Sequence, residues 1–287
     1  PDLAERIQVG LLNVLAERDV QIRGYKIRLP LDVILVASAN PEDYTNRGRI
    51  ITPLKDRFGS QIRTHYPLDV ATEVQIVRQE ARPATIGDVQ VRFPAFMEDI
   101  VAEITHLARG NANVSQRSGV SVRLSVSNHE LLAANAIRRG LLAKESVVAP
   151  RVCDLDALVA STAGKIEIES VDEGRDGAVF EQIVRGAVLQ VYKRRVSGDK
   201  TRDVLAAFEA GATANTGEDV SSGELVKFAT EVPALRTLAL ALVDGDESPA
   251  AVASAVEFVL EGLHLAKRLN KDASGGRAVY RSRSTSV

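Results

Sequence analysis

The pattern of hydrophobic and polar residues near the start of the chain predicts a helix, a β-hairpin and two further strands. Apolar residues recur at helical spacing over residues 2–17, which predicts an amphipathic helix. Residues 19–29 alternate around Gly24, which predicts a β-hairpin because glycine tolerates the positive φ of a tight turn. The apolar run 33–36 predicts a buried parallel strand, and residues 61–66 predict a further strand that stops before Pro67.

From residue 70 onward the periodicity is mostly helical. The predicted helices cover residues 70–81, 94–109, 122–139, 154–163, 176–195, 201–210, 222–242 and 248–271. Two segments lack periodicity: residues 211–223 predict a linker, and residues 275–287, rich in Arg and Ser, predict a disordered tail. The pattern therefore predicts an α/β part (1–68), a helical region (69–170) and a helical C-terminal region with a disordered tail (171–287).

Composition excludes several classes of protein. The chain has 36 Lys plus Arg against 38 Asp plus Glu, so its charge does not favour binding to nucleic acid or to an anionic membrane. Its single cysteine, Cys153, excludes a disulfide framework and fits a reducing compartment. No apolar run reaches the roughly 18 residues that span a bilayer, and the four histidines lack metal-ligand spacing. We expect a cytoplasmic protein without a metal site among these residues.

The densest chemical signal lies in residues 31–63, LDVILVASANPEDYTNRGRIITPLKDRFGSQIR. The predicted strand ends in Asn40, where open α/β sheets bind their ligands. A basic cluster follows, formed by Arg47, Arg49, Lys55 and Arg57, and the last of these lies in the motif Asp-Arg-Phe-Gly. This segment resembles the sensor-1 and arginine-finger region of AAA+ ATPases. Within that family, its sequence most resembles the magnesium-chelatase ATPase subunit and MoxR-like branch.

The resemblance implies a fold and a set of roles. The implied fold is a partial AAA+ P-loop core, with a parallel sheet and an inserted β-hairpin, followed by an all-α lid and a C-terminal helical region. Asn40 would be sensor 1, which holds the attacking water and contacts ATP. Arg57 would be the arginine finger that acts on nucleotide held by the neighbouring subunit, because a permanently charged, planar guanidinium suits the charge of a phosphoryl transition state. Arg123 resembles sensor 2, which contacts the nucleotide of its own subunit.

Each of these residues also has a structural interpretation. Asn40 precedes Pro41 and could simply form a turn. Arg57 could form a salt bridge with Asp56 or Asp69 on a solvated surface. Arg123 is less easily explained in this way, since the helix dipole disfavours a cation at a helix N-terminus. Arg47, Arg49 and Lys55 are expected at a subunit interface, and Arg49 is the second choice for the finger.

The phosphate-binding half of an ATPase site is not found in this sequence. The motif G-x-x-x-x-G-K-[ST] and an apolar strand ending in Asp-Glu do not occur. In the family both precede the region where this chain begins. The resemblance therefore implies a C-terminal fragment, in which ATP and Mg²⁺ are bound mainly by upstream residues and which is inactive alone.

The implied function is that of an ATP-hydrolysing AAA+ subunit, magnesium chelatase-like, in a homo-oligomeric ring, expected to be a hexamer. ATP hydrolysis would then drive remodelling of a chelatase-type partner protein. One alternative is a MoxR-type chaperone with a von Willebrand A-domain partner and no tetrapyrrole substrate. A second alternative, from another class, is a non-catalytic interaction module.

Overall fold

The structure, a computed structural model, describes residues 5–17, 19–22, 24–28, 34, 36–38, 50–115, 119–162, 164–168 and 176–283. The chain divides into two compact units, Pro1–His65, called the N-terminal unit, and Tyr66–Val287, called the helical unit. As a whole the described fold is mixed α/β and mostly helical. Among the described residues, no helix is both long enough and apolar enough to cross a membrane.

The N-terminal unit begins with two of the predicted elements. Helix α1 covers Glu5–Glu17, and strands β1 (Asp19–Ile22) and β2 (Tyr25–Arg28) form an antiparallel hairpin. Gly24 occupies the turn with φ +86°, the conformation that glycine adopts without penalty. The predicted helix and hairpin are therefore confirmed within the described residues.

The predicted parallel sheet is not observed in this unit. Ile34 and Val36 lie outside any strand and are 92% and 86% exposed, and residues 61–66 form no strand either, with Ile62 89% exposed. Both strand predictions are wrong at the residues that the structure describes, 34, 36 and 61–66, and a P-loop core is not confirmed. The physical reason is that an apolar run becomes a buried strand only when neighbouring strands and helices cover it.

The helical unit contains most of the regular structure. Its helices are α3 (Val70–Glu80), α4 (Ala95–Gly110), α5 (Arg123–Ala143), α6 (Leu158–Thr162), α7 (Asp176–Arg195), α8 (Arg202–Glu209), α9 (Ser222–Glu231), α10 (Pro233–Leu242) and α11 (Pro249–Leu265), with 3₁₀ turns at Val152–Ala157 and Gly198–Thr201. The predicted helix 222–242 is split, because Pro233 starts a new helix. Ser221 caps α9 by accepting from the Glu224 N–H, and Ser248 caps α11.

Helices α4, α7 and α11 form the centre of the hydrophobic core. The rings of Phe96 on α4 and Phe258 on α11 stack with centroids 4.5 Å apart, and neither side chain is exposed. On α11, Gly262 lies directly against the ring of Tyr192 from α7, since a Cβ there would be 2.0 Å from Cδ2 of the tyrosine. The two helices can approach this closely only because position 262 has no side chain.

Two small sheets complete the helical unit. Strands β3 (Gln90–Val91) and β4 (Val147–Val148) form a short parallel pair. Strands β5 (Ala214–Gly217), β6 (Leu269–Ser274) and β7 (Arg277–Ser282) form an antiparallel sheet with β7 in the centre.

This antiparallel sheet corrects three predictions. The predicted linker 211–223 contributes β5, and the predicted disordered tail contributes β7. The predicted helix 248–271 ends early, because Lys267 has φ +60° and turns the chain into β6. Local composition missed these strands because each is held by partners that are distant in sequence.

Candidate functional site

The structure describes three of the six residues singled out in the sequence. Asn40, Arg47 and Arg49 lie outside the described residues, so their predicted roles stay predictions. Lys55 and Arg57 belong to the N-terminal unit, and Arg123 belongs to the helical unit.

Arg57 follows a short helix that is anchored to α1. Helix α2 covers Thr52–Lys55, with Pro53 in its first turn and Leu54 buried. Just before it, the backbone N–H of Ile51 donates to Oε1 of Gln8 on α1 at 2.9 Å. These contacts fix the segment that carries Lys55 and Arg57, although both of those side chains are exposed.

The guanidinium of Arg57 remains available for an external partner. Its Nη1 donates to the carbonyl oxygen of Pro53 at 2.7 Å, which holds the side chain back over the helix that precedes it. Within the N-terminal unit as described, Asp56 does not pair with it. An exposed, permanently charged group with most of its donors unused can bind an anion such as a phosphate.

Arg123 is the first residue of α5, and its side chain is exposed. Its backbone N–H donates to Oγ of Ser121 at 3.2 Å. In the described part of the chain no carboxylate pairs with its guanidinium, and the first turn of α5 contains no acidic residue. The positive end of the helix dipole and the arginine give the start of α5 a positive character.

A buried polar cluster supports the start of α5. Glu73 on α3 has no exposed surface and forms a salt bridge with Arg109 on α4, with an Nη1–Oε2 distance of 2.6 Å. Ser125 Oγ donates to Oε1 of Glu73 at 2.6 Å and lies equally close to Oγ1 of Thr105. Arg109 Nε donates to the carbonyl oxygen of Val120 at 2.9 Å. We call these four residues, Glu73, Thr105, Arg109 and Ser125, the Glu73 cluster.

A cleft of about 550 Å³ opens between the start of α3 and helices α4 and α7. Its charged residues stabilise the helices that surround it. Asp69 caps α3 by accepting from the Thr72 N–H at 2.7 Å, and this hydrogen bond lowers the pKa of Asp69. Glu103 pairs with Arg194 at 2.9 Å. In the described residues no group of three acidic, histidine or cysteine side chains could hold a metal ion.

The helical unit contains a second buried charge network, formed by residues other than the Glu73 cluster. It was not predicted from the sequence. Arg139 on α5 pairs with Asp154, and Arg151 pairs with Glu257 on α11 at 3.1 Å; all four residues are at most 2% exposed. The available signal was in α11, where two acidic residues, Glu257 and Glu261, interrupt an otherwise apolar helix.

This second network is structural. Burial opposes the charge of Arg151, but Glu257, with smaller contributions from Cys153 and Asp154, outweighs it, so the pKa of Arg151 is raised above its ordinary value. Burial also raises the pKa of the neighbouring Cys153 thiol, which keeps it protonated and unreactive.

Comparison with known proteins gives one partial similarity. The chain is 36% identical over 103 residues to the magnesium-chelatase 38 kDa subunit of Cereibacter sphaeroides, a match that covers 35% of this chain and 28% of that subunit. The relation is distant and partial. It supports a relation to the AAA+ family and no finer assignment. No protein-family model matches the chain, and no solved structure matches it.

Proposed function

We propose that this chain is part of an AAA+ ATPase subunit, magnesium chelatase-like, that works in a homo-oligomeric ring. The observation that carries the proposal is the 36% identity to the magnesium-chelatase 38 kDa subunit, together with an exposed arginine in the Asp-Arg-Phe-Gly motif. The chain spans about a quarter of that relative, 28% of its length. The activity of the whole protein, the ring, its expected six subunits and a chelatase-type partner are therefore all part of the proposal.

In this proposal Arg57 is the arginine finger. Its exposed guanidinium reaches the γ-phosphate of ATP bound by the adjacent subunit and stabilises the charge that spreads over the phosphoryl oxygens as the terminal bond breaks. Lys55, Arg47 and Arg49 line the same subunit interface. The bond from Arg57 to the Pro53 carbonyl must then be exchanged for the phosphate when a neighbouring subunit binds.

Asn40 and Arg123 serve the nucleotide of their own subunit. The Asn40 amide orients the attacking water, and Arg123 pairs with the phosphates from the start of α5. The described residues offer no cluster that fits a magnesium ion, so no step of this proposal uses a metal ligand from them.

The test is complementation between two inactive variants of the full-length gene product. Arg57→Ala and Arg123→Ala are each expected to lose most ATPase activity. In randomly mixed rings, an Arg57→Ala subunit still supplies Arg123, and its Arg123→Ala neighbour still supplies Arg57. About a quarter of the interfaces would then be intact if the finger acts between subunits.

The control is Arg63→Ala, an exposed arginine of the same unit that has no proposed role, and it should retain wild-type activity. A mixture that stays inactive would show that Arg57 acts within its own subunit. Full activity of Arg57→Ala alone would remove the finger assignment.

A further inference from the structure

We propose that Glu73 and Arg109 are positioning residues for Arg123, and that they set the affinity of the protein for ATP. The inference rests on the proposed function, because it takes Arg123 as a group that contacts nucleotide. It adds two residues that neither sequence motifs nor similarity pointed to. Neither residue touches the nucleotide in this proposal; both act through the backbone that carries Arg123.

The Glu73 carboxylate is held in one orientation. It is fully buried, and the Arg109 guanidinium holds it with two donors, Nη1 at 2.6 Å and Nη2 at 3.1 Å. A two-donor contact of this kind fixes the orientation of both groups as well as their distance. Oε1 of Glu73 also accepts a hydrogen bond from the Ser125 hydroxyl at 2.6 Å.

Glu73 and Arg109 contact the chain on opposite sides of Arg123. Ser125 follows Arg123 by two residues and is held directly by Glu73. Val120 precedes it by three residues, and its carbonyl oxygen is held by Arg109 Nε at 2.9 Å. One carboxylate and one guanidinium therefore fix the segment 120–125 at both ends, with the exposed Arg123 side chain between them.

Gly119, four residues before α5, lies against the tyrosine that covers the same cluster. The ring of Tyr66 covers the Arg109 guanidinium with Cζ 4.6 Å from the ring centroid. Gly119 has φ +64°, and a Cβ at this position would lie 2.2 Å from the Tyr66 hydroxyl. The chain can pass this close to the tyrosine only as glycine, so the approach to α5 is fixed as well.

Stability alone is a poor explanation for this arrangement. A buried ion pair often contributes no more to stability than apolar residues of the same volume, whereas it does fix geometry. Helices α3 and α4 are also joined by a second ion pair, in which Arg78 Nε donates to Glu98 Oε1 at 2.9 Å. That second pair makes no bond to the start of α5 among the described residues, which makes it a matched control.

The experiment measures binding of a fluorescent ATP analogue to the full-length gene product. Arg123→Ala should weaken binding by about tenfold, as expected for loss of a charge-assisted contact. Glu73→Gln and Arg109→Ala should each weaken it by about three- to tenfold. Arg109→Lys keeps a charge for Glu73 but loses the fork that also reaches Val120, so it should give an intermediate value.

Two further variants separate positioning from simple destabilisation. Glu98→Gln should lower the melting temperature and leave nucleotide affinity unchanged. The double variant Glu73→Gln/Arg123→Ala should bind no more weakly than Arg123→Ala alone, because Glu73 acts through Arg123.

The outcomes distinguish this inference from the function on which it rests. Wild-type affinity of Arg123→Ala would overturn both. Weak binding by Arg123→Ala, together with wild-type binding by Glu73→Gln and Arg109→Lys, would overturn the positioning role and leave the function of Arg123 in place. Additive losses in the double variant, or an equal loss in Glu98→Gln, would also overturn it.

Discussion

The two units differ in which side chains they leave exposed to solvent. In the N-terminal unit Ile34 and Ile62 are 92% and 89% exposed, whereas in the helical unit Arg139 and Arg151 are 2% and 0% exposed. Burial thus follows the availability of partners more than the polarity of the residue. The helical unit provides carboxylates and carbonyl oxygens for these buried guanidinium groups, while the described N-terminal unit leaves Ile34 and Ile62 uncovered.

The comparison has a functional side. The candidate group in the N-terminal unit, Arg57, rests on one backbone contact and one short helix. The candidate group in the helical unit, Arg123, belongs to a segment that the buried Glu73 cluster holds by hydrogen bonds. The first arrangement suits a group that exchanges its partner when a neighbour binds, and the second suits a group that must keep its position.

The largest expected effect on stability comes from removing one partner of the buried ion pair between Arg151 and Glu257. Arg151→Met leaves Glu257 buried without its counter-charge and should lower the free energy of unfolding by about 3–5 kcal/mol. The double variant Arg151→Met/Glu257→Met should recover part of that loss, because the uncompensated charge is gone. The rest stays lost, because the carbonyl oxygens of Gly217 and Val220 lose the donors of Arg151. Urea denaturation followed by circular dichroism measures both.

The N-terminal unit offers the matched control for this prediction. Ile62→Ser changes an exposed side chain and should alter the free energy of unfolding by no more than about 0.5 kcal/mol. A loss in Ile62→Ser as large as that in Arg151→Met would contradict the comparison, since it would show that Ile62 is covered in solution.

An intermediate effect is expected at two helical glycines. Gly262→Ala on α11 would drive a methyl group into the Tyr192 ring and should cost about 1–3 kcal/mol of unfolding free energy. Gly186→Ala on α7 meets only Leu107 Cδ1 at 3.4 Å and should instead gain up to about 1 kcal/mol from the higher helix propensity of alanine. Thermal denaturation of the two variants measures the difference, and equal shifts in melting temperature would contradict the close packing of α7 and α11.

The smallest effect concerns pH. His129 stacks on Phe93 with ring centroids 3.9 Å apart, and burial lowers its pKa from 6.5, against the opposing charges of Glu98 and Glu130. A histidine with a lowered folded-state pKa favours the folded state when neutral, so stability should fall as the pH drops below about 6.5. His129→Phe should reduce this dependence, measured as the difference between melting temperatures at pH 7.5 and 5.5. An unchanged pH dependence would mean that His129 is not the group responsible.

Three of the longer helices could be predicted from the sequence. Helices α3, α4 and α7 lie within about two residues of their predicted bounds, because an amphipathic helix carries its own hydrogen bonds and needs only one covered face. Strands β5 and β7 could not be predicted, since Ala214–Gly217 and Arg277–Ser282 owe their conformation to each other. The strand predicted at residues 61–66 failed for the converse reason: its alternation is present, but the described residues supply no strand that pairs with it.

The candidate site rests on a different kind of inference. Arg57 and Arg123 are candidates by resemblance to a family, and only for Arg123 does the helix dipole add a physical argument. Their roles stay predictions. Glu73, Arg109 and Ser125 were missed because single polar residues at helical spacing read as a solvated face. Only the packing of α3 against α4 and α5 shows that Glu73 points inward.

The order of strands in the C-terminal sheet has a consequence for synthesis on the ribosome. Strand β7 lies between β5 and β6, yet it is the last of the three to be translated. While the ribosome translates α9, α10 and α11, β5 has no strand to pair with, and its backbone amides must stay hydrated or be shielded by other means. The sheet can close only after Arg277–Ser282 have left the exit tunnel, so this part of the helical unit folds late and depends on the completion of its final strand.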